Sequence, residues 1–444
     1  MAMKTTFLFG AGVSVSAGVP TAIKMTEQML ANITSRKRKD RVADVLKYVI
    51  GGLMFQNSTK GGDPYAGVNI EDLFNSIAML GNRRELEAAP FIGSWHYKVD
   101  EFDTEMPSID DYQPIYDAIV YQMMHDIKDA MKNARIDHCS GDKIDQALSG
   151  LINKERYYGV AKSIGTEIEK MVNQLPSSID KNLSTKPKVA FNNFNISMNN
   201  VIRDATGKRK GKLFEDAMKV MVRELKHLVW ISDADKTAYL DPLLMWCKSG
   251  NCASIASLNY DNGIESSAKR LGVRIHNGLE CIQENGEFGH QPGSVSLIKL
   301  HGSINWTYKR REDGSISQEV IENEDDKFAD EQYDPALIFG QKNKLTAKGP
   351  FLDLYRAYRD SLNESANLVV SGYSFADSHI NESILKWLNR STAGKLIILD
   401  PNVDKLRRDY RGFVHQLMTH PKKDNIEFIQ GYFAEGILEC LNKV

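Results

Sequence analysis

Cysteine is scarce in this chain, and the few cysteines are scattered along it. The 444 residues contain five, which are Cys139, Cys247, Cys252, Cys281 and Cys440. No two of them form a CxxC pair, so the sequence supports neither a zinc ribbon nor a disulfide framework. The pattern fits a protein of a reducing compartment and predicts no structural metal.

Long hydrophobic runs and an excess of charge are also missing. No stretch of about 18 apolar residues could form a transmembrane helix, and the first residues have the pattern of a strand rather than of a signal peptide. The formal net charge of −2 indicates neither a nucleic-acid nor a membrane surface. With 42% hydrophobic and 26% charged residues, the composition is that of a globular enzyme. We therefore expect a cytoplasmic protein.

The most informative segment is the N-terminus, where a short apolar stretch, Thr5–Phe9, leads directly into glycines. Gly10 and Gly12 would permit a tight turn and a close approach of the backbone to a pyrophosphate. Gly18 and Pro20 would hold the next loop in a fixed shape. The N–H groups of the helix that follows would face a dianion. Glycine-rich strand ends are common, so this segment alone leaves nucleotide binding open.

Three segments of the chain differ in pattern. Residues 1–81 combine the first strand with helical patterns, the first of which should begin near Thr21. Over residues 82–248 long amphipathic helical patterns such as Glu215–Trp230 replace glycine-ended strands. Strands that alternate with helices return over residues 249–444. We therefore predict a Rossmann-like α/β domain with a mostly parallel sheet, formed by the outer segments, and a large all-helical insertion between them.

Polar residues follow the strand pattern that ends near Leu258. Asn259 and Asp261 would lie at the carboxyl end of this strand, where open α/β sheets bind ligands. The alternative is that Asp261 or Asn262 only caps the next helix.

Three later strands end in residues with similar potential. His301 is followed by glycine and is expected to face a cleft, although a single histidine is more often structural than catalytic. Gly372 and Ser374 belong to a turn of small residues, after which Asp377 or its neighbour would cap a helix. Asp400 ends another strand, where an acid can accept hydrogen bonds from the ribose diol of an adenosine.

In their order and composition, these strand ends resemble the sirtuin superfamily. They are Gly10-Ala11-Gly12-Val13-Ser14 with Gly18-Val19-Pro20, then Asn259-Tyr260-Asp261, His301-Gly302, Gly372-Tyr373-Ser374 and Asp400. The phrases Lys299–Trp306 and Gly372–Asn381 are more similar to the bacterial anti-phage branch of that superfamily, which does not deacylate proteins. The resemblance covers residues 1–35 and 250–435 and leaves out the predicted insertion.

The resemblance implies that the chain binds NAD as a substrate. The residues that would bind the diphosphate or shape the loops around it are Gly10, Ala11, Gly12, Ser14, Gly18, Pro20, Gly372 and Ser374. Asp400 would bind the adenosine ribose. No metal is implied.

Three residues would act on the bond between nicotinamide and ribose. By the resemblance, Asn259 lies beside the ribose, Asp261 holds the carboxamide and His301 is the general base. The residue types suit the chemistry. Nicotinamide leaves without a strong acid because it is already cationic, and a neutral imidazole can remove a proton from water. An amide can donate and accept, and so can orient that water.

Two departures from the deacylases favour hydrolysis. Thr21-Ala22-Ile23 stands where they carry Asp-Phe-Arg, and their four zinc-binding cysteines are missing, since only Cys440 follows His301. We therefore predict an NAD glycohydrolase that releases nicotinamide and ADP-ribose, with a cyclised product left open. A protein deacylase or ADP-ribosyltransferase also stays open, as does a sensor that binds NAD or ADP-ribose without turnover.

The resemblance also implies a biological setting. Such domains are held inactive and deplete NAD after phage infection, an abortive response. They act as oligomers or with partners such as translocase ATPases, so we expect a homo-oligomer, a partner from a defence system, or both. The sequence indicates no direct binding to nucleic acid or membranes, and we expect the insertion to serve assembly, docking or gating.

Overall fold

The computed structural model describes residues 4–36, 41–63, 66–83, 98–99, 102, 212–311, 316–323, 335–339, 349–391, 394–409 and 412–444. The chain divides into two compact units, one made of Met1–Met79 with Phe214–Val444 and the other of Leu80–Leu213. Most of the second unit, and with it most of the predicted insertion, lies outside the described residues. The fold and the site below belong to the first unit.

The described residues form two sheets. The strands are β1 (Lys4–Phe9), β2 (Cys252–Ser257), β3 (Ile275–His276), β4 (Val295–Lys299), β5 (Gly302–Arg310), β6 (Ile316–Glu322), β7 (Pro335–Leu337), β8 (Ser365–Ser371), β9 (Leu396–Asp400) and β10 (Ile426–Gln430). Seven of them pair in the order β10-β9-β8-β1-β2-β4-β3, and all these pairs are parallel. Without the short edge strand β3, this is the order of a doubly wound dinucleotide-binding sheet. The predicted Rossmann-like α/β fold class is confirmed.

The central strand β1 lies at the point where the chain order of the sheet reverses. Its neighbours are β2 on one side and β8 on the other. The connections therefore diverge from the carboxyl end of β1 and leave a crevice there, which is where sheets of this kind bind ligands.

Helices cover both faces of the large sheet. The α-helices described are Ala22–Ser35, Val42–Thr59, Ile70–Gly81, Lys212–Val229, Asp241–Trp246, Gly263–Leu271, Leu279–Asn285, Phe351–Glu364, Ser378–Arg390, Val403–Arg408, Phe413–Met418 and Phe433–Lys443. Shorter helical turns are Ala11–Ala17, Ala234–Leu240, Cys247–Asn251 and Lys423–Asn425. None of the described helices has both the length and the apolar character needed to cross a membrane.

The side chains of β1 alternate between two hydrophobic cores. Leu8 packs in one core with Leu354 and Trp387, from helices on that face. Phe7 and Phe9 pack in the other core, on the opposite face of the sheet. A strand buried on both faces is apolar at nearly every position, which is the pattern that the N-terminal sequence shows.

The second sheet is small and antiparallel. Its order is β6-β5-β7, and only two residues separate the end of β4 from the start of β5. Its strands β5 and β6 form an antiparallel hairpin.

Three details differ from the sequence analysis. The edge strand β3 was missed because two residues carry no periodic pattern. The turn and loop predicted before the helix near Thr21 include a 3₁₀-helix, Ala11–Ala17. Helix Lys212–Val229 was assigned to the insertion, whereas Phe214 onward belongs to the same compact unit as the sheet. The domain boundaries at 81 and 248 otherwise stay a prediction.

Candidate functional site

A cavity of about 540 Å³ opens at the carboxyl ends of β1, β2, β8 and β9. Helices Ala22–Ser35 and Ile70–Gly81 contribute further walls. This volume lies within the range of sites for small organic ligands. Of the residues predicted from sequence, the cavity is lined by Gly10, Ala11, Gly12, Asn259, Asp261, His301, Gly372, Ser374 and Asp400.

Three predicted residues are not part of the cavity wall. Ser14 is buried behind it and contacts the residues that form it. Gly18 ends the 3₁₀-helix in a left-handed conformation, with φ +90°, and Pro20 lies shortly before helix Ala22–Ser35. The structure thus gives Ser14 a bracing position, and the predicted contact of all three with a diphosphate stays a prediction.

The glycines after β1 bring two loops into backbone contact across the crevice. The N–H groups of Gly10 and Gly12 donate to the carbonyl oxygens of Ser371 and Gly372, both at 3.0 Å. A Cβ atom on Gly12 would lie 2.6 Å from the Cα of Gly372, and one on Gly10 would lie 2.5 Å from its carbonyl oxygen. Side chains are therefore excluded at these positions by the opposite loop. The two N–H groups are already bonded, so they do not remain for a ligand.

Asn259 is the first member of a buried hydrogen-bond chain. Its Nδ2 donates to the carbonyl oxygen of Gly10 and to Ser14 Oγ, both at 3.0 Å, which identifies the nitrogen because a carbonyl cannot donate. Ser14 Oγ in turn donates to Asp261 Oδ2 at 2.6 Å. Both amide hydrogens of Asn259 are thus engaged, and its Oδ1 is the atom that can accept from a water or a substrate hydroxyl.

Asp261 lines the cavity and also bonds to the start of the next helix, while its predicted contact with a ligand stays a prediction. Its Oδ1 accepts the N–H of Gly263 at 2.9 Å at the start of helix Gly263–Leu271, while its Oδ2 accepts from Ser14. Asn262 exchanges hydrogen bonds with the backbone of Ile231, which ties the segment after helix Lys212–Val229 to the site. The carboxylate of Asp261 is therefore held rigidly at the cavity wall.

His301 lies in the two-residue link between β4 and β5 and faces the cavity. Its Nε2 is 3.4 Å from Asp377 Oδ2, and both side chains are only 4% exposed. Its Nδ1 is buried and has no hydrogen-bond partner among the described residues. Gly302 allows the sharp change of direction here, because its φ is +84° and a Cβ would lie 1.9 Å from the carbonyl oxygen of Ala336.

Tyr260, between the two predicted residues of its strand end, also lines the cavity. Its hydroxyl lies 2.8 Å from the carbonyl oxygen of Ile338 and 3.2 Å from Glu71 Oε1. Burial, together with the charge of Glu71, raises the pKa of the Tyr260 phenol well above its ordinary value. The phenol therefore stays neutral and braces the wall beside Asn259.

The charges around the cavity are mostly negative. Among the described residues that line it, carboxylates come from Glu71, Asp261, Asp377 and Asp400, and Lys24 is the one lysine or arginine. Lys24 belongs to the first turn of helix Ala22–Ser35, which faces the cavity from Thr21 onward. An anion would thus meet free N–H groups and a cation at the positive end of this helix.

Asp400 lies at the end of β9 and lines the cavity. Its Oδ1 accepts the N–H of Asn402 at 2.7 Å. Burial raises the pKa of its carboxyl group, and the hydrogen bond from Asn402 acts in the opposite direction. The second carboxylate oxygen is available to a hydroxyl group.

Metal chemistry finds no support in the part of the chain that is described. Its His, Cys, Asp and Glu side chains include no group of three or more that could bind a metal ion. The expectation that no metal takes part stays a prediction.

Sequence reasoning missed three contributors to this site. Glu71 and Lys24 lie on helices outside the strand ends, and only the tertiary fold brings them to the cavity. Asp377 was recognised as a helix cap, which the structure confirms, since its Oδ1 accepts from the N–H of His379 at 3.0 Å. Its approach to His301 spans 76 residues of sequence and left no local signal.

Comparison with known proteins agrees with this geometry. Residues 253–421 match the family model described as a SIR2-like domain. The match supports a sirtuin-like superfamily and an NAD-related function for the segment that carries Asn259, Asp261, His301 and Asp400. It begins after β1, so the glycine-containing loop is placed beside this segment by the fold rather than by the match. No curated protein matches the chain closely enough to count as a relative.

Proposed function

We propose that this protein is an NAD glycohydrolase, which cleaves NAD⁺ to nicotinamide and ADP-ribose. One observation carries the proposal: Asn259, Asp261 and His301 line the same cavity as the loop that follows β1, at the switch point of a dinucleotide-binding sheet. The match to a SIR2-like domain over 253–421 supports NAD as the substrate.

The proposed reaction needs few groups. The bond from ribose C1′ to the nicotinamide nitrogen breaks, and its electron pair leaves with nicotinamide, which is thereby neutralised. Water attacks C1′, and His301 takes one of its protons. Asn259 Oδ1 accepts a hydrogen bond from the same water, since both of its amide hydrogens are held by Gly10 and Ser14. The ribose cation that forms is stabilised by fixed dipoles and by the substrate's own diphosphate.

Recognition of the substrate would depend on features at two ends of the cavity. The diphosphate would bind at the start of helix Ala22–Ser35, with Lys24 as the cation. The adenosine ribose would bind to Asp400, and Asp261 would face the nicotinamide carboxamide. Gly10 and Gly12 would keep the loops close together, because their N–H groups are bonded to the β8 loop.

Hydrolysis is preferred to deacylation on the evidence of the sequence. The chain has one cysteine after His301, Cys440, so the zinc module of the deacylases has no counterpart. The Asp-Phe-Arg segment of the deacylases is replaced by Thr21-Ala22-Ile23. Protein deacylation, ADP-ribosyl transfer and NAD sensing without turnover are retained as possible outcomes of the experiment.

We extend the proposal to a role in anti-phage defence, in which NAD depletion aborts infection. It rests on the similarity of Lys299–Trp306 and Gly372–Asn381 to that branch of the superfamily. Homo-oligomerisation, and activation by a translocase ATPase or another partner, belong to the same proposal.

A variant that lacks residues 84–210 tests the insertion, because it keeps helix Lys212–Val229, which from Phe214 onward belongs to the compact unit of the sheet. Loss of the oligomer or of regulation, measured by light scattering and NAD consumption, is the expected result.

The decisive experiment identifies the products. The purified full chain is incubated with NAD⁺, alone and with the product of the neighbouring gene, and the mixture is resolved by chromatography and mass spectrometry. We expect equal amounts of nicotinamide and ADP-ribose, and none from the His301→Ala variant. Release of acyl-ADP-ribose from an acylated peptide would instead identify a deacylase. Binding of NAD without any product under either condition would identify a sensor.

A further inference from the structure

Lys299 is a buried lysine that the proposed reaction does not use. It is the last residue of β4, in which Val295 and Leu297 pack in the core on one face of the large sheet. Alternate residues of a strand share a face, so Lys299 follows them on this apolar side. Its side chain is only 1% exposed. Burial of an ammonium group is costly unless charged and polar partners compensate for it, so a lysine here requires a structural reason.

Two groups compensate for the buried ammonium group. Lys299 Nζ donates to the backbone carbonyl oxygen of Asp261, and it lies 3.3 Å from Glu265 Oε1. Glu265 belongs to the first turn of helix Gly263–Leu271. Its other carboxylate oxygen is buried and has no hydrogen-bond partner among the described residues. Lys299 therefore neutralises Glu265 and at the same time bonds to the main chain of a predicted site residue.

The carbonyl group of Asp261 lies just ahead of helix Gly263–Leu271. The hydrogen bonds of this helix begin at the next residue, where the carbonyl oxygen of Asn262 accepts the N–H of Ser266 at 2.9 Å. Asp261 is nevertheless buried, and a buried carbonyl group needs a donor. Lys299 supplies this donor from the neighbouring strand.

Asp261 is thus held by both its backbone and its side chain. Its carboxylate accepts from Ser14 Oγ at 2.6 Å and from the N–H of Gly263 at 2.9 Å. A carboxylate has more acceptor positions than these two bonds occupy, so it can still accept from the NH₂ group of a carboxamide. The bond from Lys299 fixes the peptide group beside the Cα atom from which this carboxylate projects.

We propose that Lys299 is a positioning residue for the nicotinamide end of the substrate. Its ammonium group, neutralised by Glu265, fixes the peptide group of Asp261 and with it the carboxylate at the cavity wall. The inference rests on the proposed function, in which Asp261 binds the carboxamide of nicotinamide. Lys299 does not itself line the cavity, so its effect passes through Asp261.

The test compares the affinities of the full chain for the two halves of NAD. In Lys299→Met a flexible apolar side chain fills the space, and the carbonyl group of Asp261 loses its charged donor. We expect the affinity for nicotinamide, measured by NMR titration, to fall by about tenfold. The affinity for ADP-ribose, measured by calorimetry, should stay close to that of the wild type, because ADP-ribose carries no carboxamide.

A second variant separates positioning from charge balance. Lys299→Met alone leaves the Glu265 carboxylate without its cation, which should lower the melting temperature. Lys299→Met combined with Glu265→Gln removes both charges, so the melting temperature should recover in part while the affinity for nicotinamide stays low. If the affinity for nicotinamide recovered together with the melting temperature, Lys299 would only neutralise Glu265 and the inference would be wrong.

A matched control removes another lysine that donates to backbone carbonyl groups. Lys422 Nζ donates to the carbonyl oxygens of Asn389 and Ser391, at 2.6 and 2.5 Å. These carbonyl groups lie at the end of helix Ser378–Arg390, and Lys422 does not line the cavity. Lys422→Met should therefore lose stability and keep both affinities.

Three further results would overturn the inference. One is an unchanged affinity for nicotinamide in Lys299→Met. Another is an equal loss of affinity for nicotinamide and ADP-ribose, which would indicate a general disturbance of the fold. The third is a wild type that does not bind nicotinamide at all. If the wild type binds nicotinamide but does not cleave NAD, the proposed function fails, and the two affinities still decide the role of Lys299.

Discussion

The two sides of the cavity are built in different ways. Between β1 and β8 the wall is backbone packed on backbone, with Gly10 and Gly12 bonded to Ser371 and Gly372. At the ends of β2 and β4 the wall consists of polar side chains, where Ser14 joins Asn259 to Asp261 and His301 faces Asp377. The glycine contact offers shape, because glycine has no side chain that can exchange a proton. The second side holds the proposed acid–base groups, so binding and chemistry should respond to substitution separately.

The largest effect should come from the side-chain wall. His301→Ala should lower kcat for NAD cleavage by about 10²–10⁴-fold because the general base is lost. The dissociation constant for NAD, measured by calorimetry, should stay within a few-fold of the wild type, since His301 is not assigned to binding. His420→Ala, a change at a half-buried histidine that does not line the cavity, is the control. An unchanged kcat in His301→Ala would remove this residue from the mechanism.

Asn259→Ala should lower kcat by a factor in the same range as His301→Ala, and it should also lower the stability of the protein. The substitution removes the amide that orients water and also the hydrogen bonds to Gly10 and Ser14. Each of these bonds contributes about 1 kcal/mol. The melting temperature of Asn259→Ala should therefore drop below that of the wild type. An unchanged melting temperature would show that the buried network contributes nothing to folding.

The backbone wall should respond in the opposite way. Gly12→Ala places a methyl group against Gly372, which should cost about 1–3 kcal/mol of stability and open the crevice. NAD affinity should weaken by about tenfold or more. Gly272→Ala is the control, because its φ of +62° strains an alanine although nothing lies within 4 Å of the added atom. It should lose stability and keep its affinity. Equal affinity losses would mean that stability alone is responsible.

A smaller effect is expected at the positive end of helix Ala22–Ser35. Lys24→Gln removes the one lysine among the described cavity-lining residues. NAD affinity should fall by about tenfold, or about 1.4 kcal/mol, with kcat nearly unchanged. Lys386→Gln removes a surface lysine that pairs with Glu382 and should have no effect. Full affinity in Lys24→Gln would place the diphosphate elsewhere.

The smallest effect concerns pH. Burial raises the pKa of the Asp400 carboxyl group, so as pH falls this group protonates earlier than an exposed aspartate would. The protonated form accepts hydrogen bonds from a ribose diol less well, and NAD affinity should fall by about fivefold. The NAD affinity of the Asp400→Asn variant should stay constant across the same pH range. A pH dependence that persists in this variant would assign it to another group.

The strands and the polar residues at their ends were predictable because their signals are local. An apolar run buried on both faces, such as Phe7 to Phe9, needs no knowledge of the rest of the chain. The convergence of Asn259 and His301 on one cavity followed from the parallel order of the strands. What could not be predicted are contacts between distant segments. The reason for glycine at position 12 is Gly372, and the second partner of Asp377 is His301.

His301 is attached to the small sheet by a direct backbone hydrogen bond. Its own carbonyl oxygen accepts the N–H of Ile338, directly after β7, and the carbonyl oxygen of Tyr260 accepts the N–H of Ile304 in β5. The small antiparallel sheet is thus hydrogen-bonded both to His301 and to Tyr260, the neighbour of Asn259. Any tilt of that sheet relative to the parallel one would change the spacing of base and amide at once. A movement of the hairpin would therefore be transmitted directly to the two side chains proposed to act on NAD.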